Sequence, residues 1–274
     1  MTRFIIIALF VVLWSCEDPV SINIPNSTPK LVVDGVITDV QTLQEIRLLY
    51  SNDFNSTTGT DKANGATVRI IDNIGQAIDF LEATDGLYQS TAVVSGNYGN
   101  SYQLQIELSD GTTYESDFQV LKPTPAIDFL SVNIVPNLRN DDPEVFNVSV
   151  HTTDFIEMGD FYRWKIFKNG FQLGNISDVI LRSDRLFNQN QFSVEFDAFE
   201  FSSGDSCIIE QYSLSEPAFE FFRLLQIQTG ELGRSTSTEP SPVKSNIYNI
   251  NDHSEVVLGF FYATSVSQAE IVVE

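Results

Sequence analysis

Between Lys30 and Lys122 apolar and polar residues trade places with a period of two. Ile46, Leu48 and Tyr50 alternate with polar neighbours, and Val68 with Ile70 and Ile78 with Phe80 repeat the pattern. The longest runs are Tyr102, Leu104, Ile106 and Leu108, then Tyr114, Ser116, Phe118 and Val120. Side chains of an extended strand point alternately to opposite faces, so this spacing marks strands with one buried face. Turn formers separate the runs: Asp72-Asn73-Ile74-Gly75, Asp85-Gly86, Asn97-Tyr98-Gly99-Asn100 and Ser109-Asp110-Gly111. Short strands broken this often predict an antiparallel β-sandwich, and residues 30–122 have the size of one immunoglobulin-like unit.

Lys122-Pro123-Thr124-Pro125 is the predicted boundary, because proline removes a ladder donor and stiffens the connection. Residues 126–274 read as a second β-domain, richer in Phe. Its strand signals are Val132 with Ile134, then Phe146, Val148 and Val150, then Phe161–Phe167 around Trp164, and then Phe192, Val194, Phe196 and Ala198. Asn169-Gly170, ahead of Phe171-Gln172-Leu173, predicts a tight hairpin turn, since both positions favour left-handed backbone. The phase shift to Phe199 and Phe201 predicts a bulge or strand end. One helix is expected near 215–229, capped by Ser215, with Pro217 in its first turn and Gly230 closing it. Ala218, Phe221 or Phe222, and Leu225 share one face, which predicts packing across the open face or end of the second sheet. Val256–Leu258, Gly259–Ala263 and Ile271–Val273 read as closing strands. The expected fold class is all-β: two β-sandwich domains, the second carrying one packed helix.

A different pattern precedes these strands. Phe4–Trp14 is apolar throughout, Arg3 stands before it, and Ser15-Cys16 ends it. A bilayer-spanning helix takes about 20 apolar residues, so the run is too short to span and has the form of a secretory leader. The ending Leu13-Trp14-Ser15-Cys16 predicts a lipoprotein signal over 1–15 with Cys16 as the lipid attachment site, although Trp14 is bulkier than usual there. A leader cleaved without lipidation, or a structural segment, are the alternatives. Residues 16–29, with Pro19, Pro25 and Pro29, read as an extended tether.

Charge narrows the partners. With 37 Asp and Glu against 15 Lys and Arg, the formal net charge is −22. Such a surface repels phosphate backbones and excludes nucleic acid as a partner. It also stands off an anionic membrane surface, which leaves the lipid as the attachment. Only two cysteines occur. If Cys16 carries lipid, Cys207 has no partner within the chain, and its apolar run Cys207-Ile208-Ile209 predicts an inert buried thiol.

Catalytic and metal-binding signatures are missing from the sequence. His151 and His253 each lack a second Cys or His at ligand spacing and read as structural. No Gly-x-Ser-x-Gly elbow, phosphate-binding glycine loop or His-Glu-x-x-His occurs. Asp141, Asp142 and Glu144 could hold calcium, but without the alternating pattern of a calcium loop they read as a solvated loop. The Asn-x-Ser/Thr triplets at Asn26, Asn55, Asn147 and Asn175 read as chance matches in a bacterial lipoprotein. Stripes of Phe predict core, whereas Tyr98, Tyr162 or Trp164, if exposed, could form a stacking platform.

Several motifs in sequence order carry a family resemblance. They are Cys16-Glu17-Asp18 followed by Lys30-Leu31-Val32-Val33-Asp34-Gly35, and Gly65-Ala66-Thr67-Val68 with Gly86-x-Tyr88, Gly99-x-x-Tyr102 and Tyr114-x-Ser116. Pro125-x-Ile127-Asp128, Pro240-x-Pro242-Val243-x-x-Asn246-Ile247 and Leu258-Gly259-x-Phe261 complete the set. Together they resemble the Bacteroidota lipoproteins of the domain of unknown function 4249 family. Acidic residues after the cysteine also resemble the surface-export signal of such lipoproteins. The resemblance implies an outer-membrane lipoprotein, often encoded beside a TonB-dependent receptor, with no established activity and with Cys16 as the one transferable site. The expectation is therefore a non-enzymatic, lipid-anchored and surface-exposed accessory or binding protein, without cofactor or metal, partnering a TonB-dependent receptor in nutrient uptake. A stand-alone glycan- or peptide-binding module is the alternative, and a hydrolase the remaining one.

Overall fold

The computed structural model describes residues 28–52, 59–135, 144–156, 159–175, 179–184, 190–229 and 243–274. Cys16, the leader, most of the tether, Asp141, Asp142 and Gly230 lie outside the described residues. The strands up to the proline-rich segment are β1 (Leu31–Thr38), β2 (Glu45–Tyr50), β3 (Thr67–Asp72), β4 (Ala77–Thr84), β5 (Leu87–Ser90), β6 (Ser101–Glu107), β7 (Thr113–Ser116) and β8 (Gln119–Val120). After it come β9 (Ile127–Val135), β10 (Val145–Thr153), β11 (Phe161–Lys168), β12 (Phe171–Gln172), β13 (Ile180–Ser183), β14 (Gln191–Glu195) and β15 (Ser206–Leu214). Helix α1 (Glu216–Thr229) follows, then β16 (Ile247–Asn249), β17 (Leu258–Thr264) and β18 (Val266–Val272). Among the described residues the all-β expectation, with one helix, holds.

The first unit is one ten-stranded sheet in the order β16-β7-β6-β3-β4-β5-β2-β1-β17, with β8 also on β6. The sheet rolls back on itself, so that strands distant in this order face each other. A Cβ placed on Gly35 would lie 3.1 Å from the side chains of Ile46 and Phe261 and 3.4 Å from that of Leu104. Leu31, Val33 and Ile37 of β1 are buried with Ile70 of β3 and Leu104 and Ile106 of β6, as the alternation requires.

Here the chain departs from the expected boundary. β16 and β17, predicted within the second domain, belong to the first sheet: β16 pairs with β7, and β17 runs parallel to β1, with Val33 opposite Gly259 and Gly35 opposite Phe261. Period two reports that a strand has a buried face but not which sheet buries it. Of the predicted runs Val256–Leu258 and Gly259–Ala263, the second forms, within a single strand that starts at Leu258. Gly259 sits at φ 90°, and a Cβ there would come within 1.9 Å of the Val33 carbonyl oxygen. Only glycine fits.

The two ends of the rolled sheet meet through one side chain. Asn246 donates from Nδ2 to the Phe261 carbonyl (2.8 Å) and accepts the Phe261 N–H at Oδ1 (3.0 Å). Its amide thus replaces a neighbouring strand on the open edge of β17, while its own carbonyl accepts from Asp117 N–H (2.8 Å).

The second unit is a sandwich of a three-stranded sheet (β14-β10-β9) on a five-stranded one (β12-β11-β15-β18, with β13 beside β11). Val148, Val150, Tyr162, Trp164, Ile166, Val194, Phe196 and Ile209 fill the space between them. Tyr162 and Trp164 are therefore core residues and unavailable as a stacking platform. Cys207 is buried in the same core, and burial pushes its thiol up to about 12, so it is an inert thiol as expected. The Asn169-Gly170 turn forms, with φ of 52° and 82°, and Asn169 Nδ2 donates to Asp205 Oδ1 (2.8 Å). β14 ends at Glu195, and Phe201 then makes an isolated bridge to Phe146, which accounts for the phase shift.

Helix α1 begins as the sequence indicates, with Ser215 Oγ accepting the Ala218 N–H (3.3 Å). Ala218, Phe221 and Phe222 are buried against Phe161, Leu181 and Leu214 on the outer face of the five-stranded sheet and against Phe260 and Tyr262 of β17. It therefore packs between the two units as well as across the second sheet. Beside it runs a polar seam. Ser213 Oγ and Ser265 Oγ both donate to the Lys122 carbonyl (2.8 Å each), and Thr264 Oγ1 donates to the Ser213 carbonyl (2.6 Å). Gln211 Nε2 donates to the Pro125 carbonyl (2.9 Å), and Val266 N–H to Asp39 (2.8 Å). Thr264, Ser265 and Gln211 are fully buried with their polar groups paired, so the seam fixes the units together.

Candidate functional site

Between the units, beside α1, lies a cleft of about 470 Å³. Its walls follow from strand alternation. On β11 the residues Tyr162, Trp164 and Ile166 turn into the sandwich core, which sends Arg163 and Lys165 to the other face. On β15, across the ladder, Tyr212 stands opposite Arg163 and Glu210 opposite Lys165. The facing wall belongs to the first sheet, where Arg47, Asp34 and Phe260 form one row across β2, β1 and β17. Phe221 and Phe222 of α1 and Tyr262 of β17 close the apolar side.

The cations are held by rings rather than by carboxylates. The Arg163 guanidinium carbon lies 4.1 Å from the Phe222 ring centre, and one terminal nitrogen donates to the Tyr262 hydroxyl at 3.3 Å. Its Nε is buried without an acceptor. Lys165 Nζ stands 4.7 Å from the Tyr212 ring centre. Burial, and then the charge of Arg163, hold the Lys165 ammonium below its usual range, partly countered by Glu210 and Asp34. The Tyr212 hydroxyl donates to Glu210, and burial followed by that carboxylate pushes the phenol upward. Among the described residues the ion pairs lie elsewhere: Arg47 with Glu45 at 3.9 Å at the cleft's edge, and Arg69–Asp79, Lys168–Asp205 and Arg223–Glu220 outside it. Neither Arg163 nor Lys165 is in one.

Such a cleft presents N–H donors beside aromatic faces, a combination that holds an anion attached to an apolar body. The residues singled out in the sequence lie apart from it. His151 Nε2 is hydrogen-bonded to Ser131 (2.9 Å) and stacked on Phe129 at 4.2 Å, while His253 stacks on Tyr248 at 5.2 Å. Tyr98 is exposed, with its hydroxyl donating to Asp39 (2.6 Å). Glu144 is described without its expected companions. Among the described residues no group of three metal-ligating side chains comes together. The sequence reading missed Arg163 and Lys165. Their signal was present as two cations on the off-core positions of an aromatic strand, in a chain poor in cations.

Fold and cleft define a class: a two-part β protein, fastened along a polar seam, with a cationic, aromatic-walled cleft between its parts. The chain belongs to the family described as "Domain of unknown function (DUF4249)", which matches over residues 17–270. Among solved structures, a two-domain fibronectin type-III segment of chicken tenascin is similar at 13% identity and a TM-score of 0.22, covering 69% of this chain and 92% of that one. Among curated proteins none matches.

Proposed function

We propose that this protein is a lipid-anchored outer-membrane lipoprotein, exposed at the cell surface, that acts without catalysis as a binding accessory to a TonB-dependent receptor. The cleft carries the binding part of this reading, because half-buried cations outside any ion pair, one with a buried Nε that has no acceptor, are costly unless a ligand uses them. The leader ending in Cys16 supports the anchor, and Glu17-Asp18 with the tether supports surface display. Covalent acyl chains add about 0.8 kcal/mol per buried methylene, and more than one chain is needed for stable attachment. A glycan platform built on exposed aromatics is less well supported, since Tyr162 and Trp164 are core residues.

Replacing Cys16 with Ser is expected to move the protein out of the membrane fraction; unchanged fractionation overturns the anchor. Mild solubilisation of the wild type is expected to bring down an outer-membrane barrel. Repeated recovery of the protein alone would overturn the partnership.

A further inference from the structure

We infer that the cleft between the two units binds a small monocarboxylate with an apolar or aromatic body. This rests on the reading of the protein as a binder and names the ligand class for that site.

Three observations carry it. First, charge is concentrated against the average of the chain. A sequence with 37 acidic and 15 basic residues brings Arg47, Arg163 and Lys165 to one cleft, where Asp34 and Glu45 in the lining and Glu210, across the ladder from Lys165, oppose them. Three cations against three carboxylates leave no positive surplus, so a single carboxylate that meets Arg163 and Lys165 is favoured over a dianion such as a phosphate monoester.

Second, donors are left over and aimed by rigid partners. Phe222 fixes the plane of the Arg163 guanidinium and Tyr262 uses one of its N–H groups, leaving the others for an acceptor. Lys165 Nζ lies over the Tyr212 ring, near Glu210 and Asp34 but in no ion pair with them, so its N–H donors also face the cleft's ligand space. Planar forks of this kind match the two oxygens of a carboxylate.

Third, the remaining wall is apolar. Phe221, Phe260 and Leu225 continue the surface begun by Phe222, and the volume of about 470 Å³ falls in the range of small-molecule sites. Asp34 and Glu45 at the side opposite β11 would accept from a ligand N–H, which admits N-acylated amino acids within the same class.

The test uses the full chain purified in mild detergent, with binding followed by ligand-detected NMR against empty detergent. The probes are 3-phenylpropionate, its uncharged isostere 3-phenylpropionamide, and phenyl phosphate. 3-Phenylpropionate is expected to bind at about 1 mM or tighter, and the amide and phenyl phosphate at least about tenfold more weakly. Lys165→Met keeps the aliphatic stem and is expected to weaken the carboxylate about tenfold, and Arg163→Gln at least as much. Arg69→Gln, on β3 and outside the cleft, is expected to change nothing. Because Arg163 also packs on α1, circular dichroism and thermal melts accompany both variants, and Lys165→Met decides if Arg163→Gln unfolds. Equal binding of amide and carboxylate, equal loss in Arg69→Gln, or wild-type affinity in Lys165→Met overturns the carboxylate assignment while leaving a binding cleft. Binding by no probe up to about 10 mM overturns the inference itself. Fractionation and co-purification then judge the parent reading separately.

Discussion

Asn246 shows how much a single amide can hold. Its two hydrogen bonds to the Phe261 main chain close the rolled sheet where no strand is available to do so. Both Phe261 groups are buried, so Asn246→Ala leaves a donor and an acceptor without partners. At about 1–3 kcal/mol for each of the two orphaned groups, the substitution is expected to cost about 2–6 kcal/mol. The denaturation midpoint should fall accordingly, and exchange at the Phe261 amide should quicken; unchanged protection of that amide would refute the clasp. Asn246 and Gly259 both stand in motifs visible in the sequence, yet their roles were not readable there. A sequence shows that a residue type recurs in a pattern, whereas a long-range amide bond or a forbidden Cβ needs the partner strand in place. Local chemistry was legible: the Asn169-Gly170 turn, the Ser215 cap and the buried Cys207 depend on near neighbours or on hydrophobicity alone.

At the scale of elements, β11 and α1 do the most to build the site. β11 is a central strand buried on both faces, one in the sandwich core and the other beneath α1. Reading its apolar residues identifies the strand and its core face, but says nothing of what the off-core Arg163 and Lys165 meet. Nothing local distinguishes a polar face turned to water from one turned to a cleft. The helix itself was legible because caps and the spacing of Ala218, Phe221 and Leu225 are local signals. Ser215 is bonded on both sides, accepting from Ala218 N–H and donating to Gln119 Oε1 (3.0 Å). Ser215→Ala is expected to cost about 1–2 kcal/mol, seen as a lower urea midpoint with an unchanged slope. A lower slope instead would mean that α1 detaches before the sheets unfold.

For the whole molecule, strand order decides what can fold alone. The Lys122–Pro125 segment looks like a linker in the sequence, but its carbonyls are bound by Ser213, Ser265 and Gln211. β16 and β17 return to the first sheet across that apparent boundary. A fragment covering residues 28–124 lacks Ile247, Phe261 and Ala263 from its core and has two unpaired edges. It is expected to give poorly dispersed amide spectra and no cooperative melt, while the full chain unfolds in one transition. A well-dispersed, cooperatively melting fragment would show that the first unit is autonomous after all.

The placement of β17 also sets a timetable. Because the strand beside β1 is supplied by residues 258–264, the first sheet cannot be completed until that distant stretch has been synthesised. Folding one unit at a time behind the ribosome is closed to this chain. Its earliest segments must wait, open and pliable, for its late ones, and a polypeptide held open in this way is in the condition that threading through a secretion channel demands.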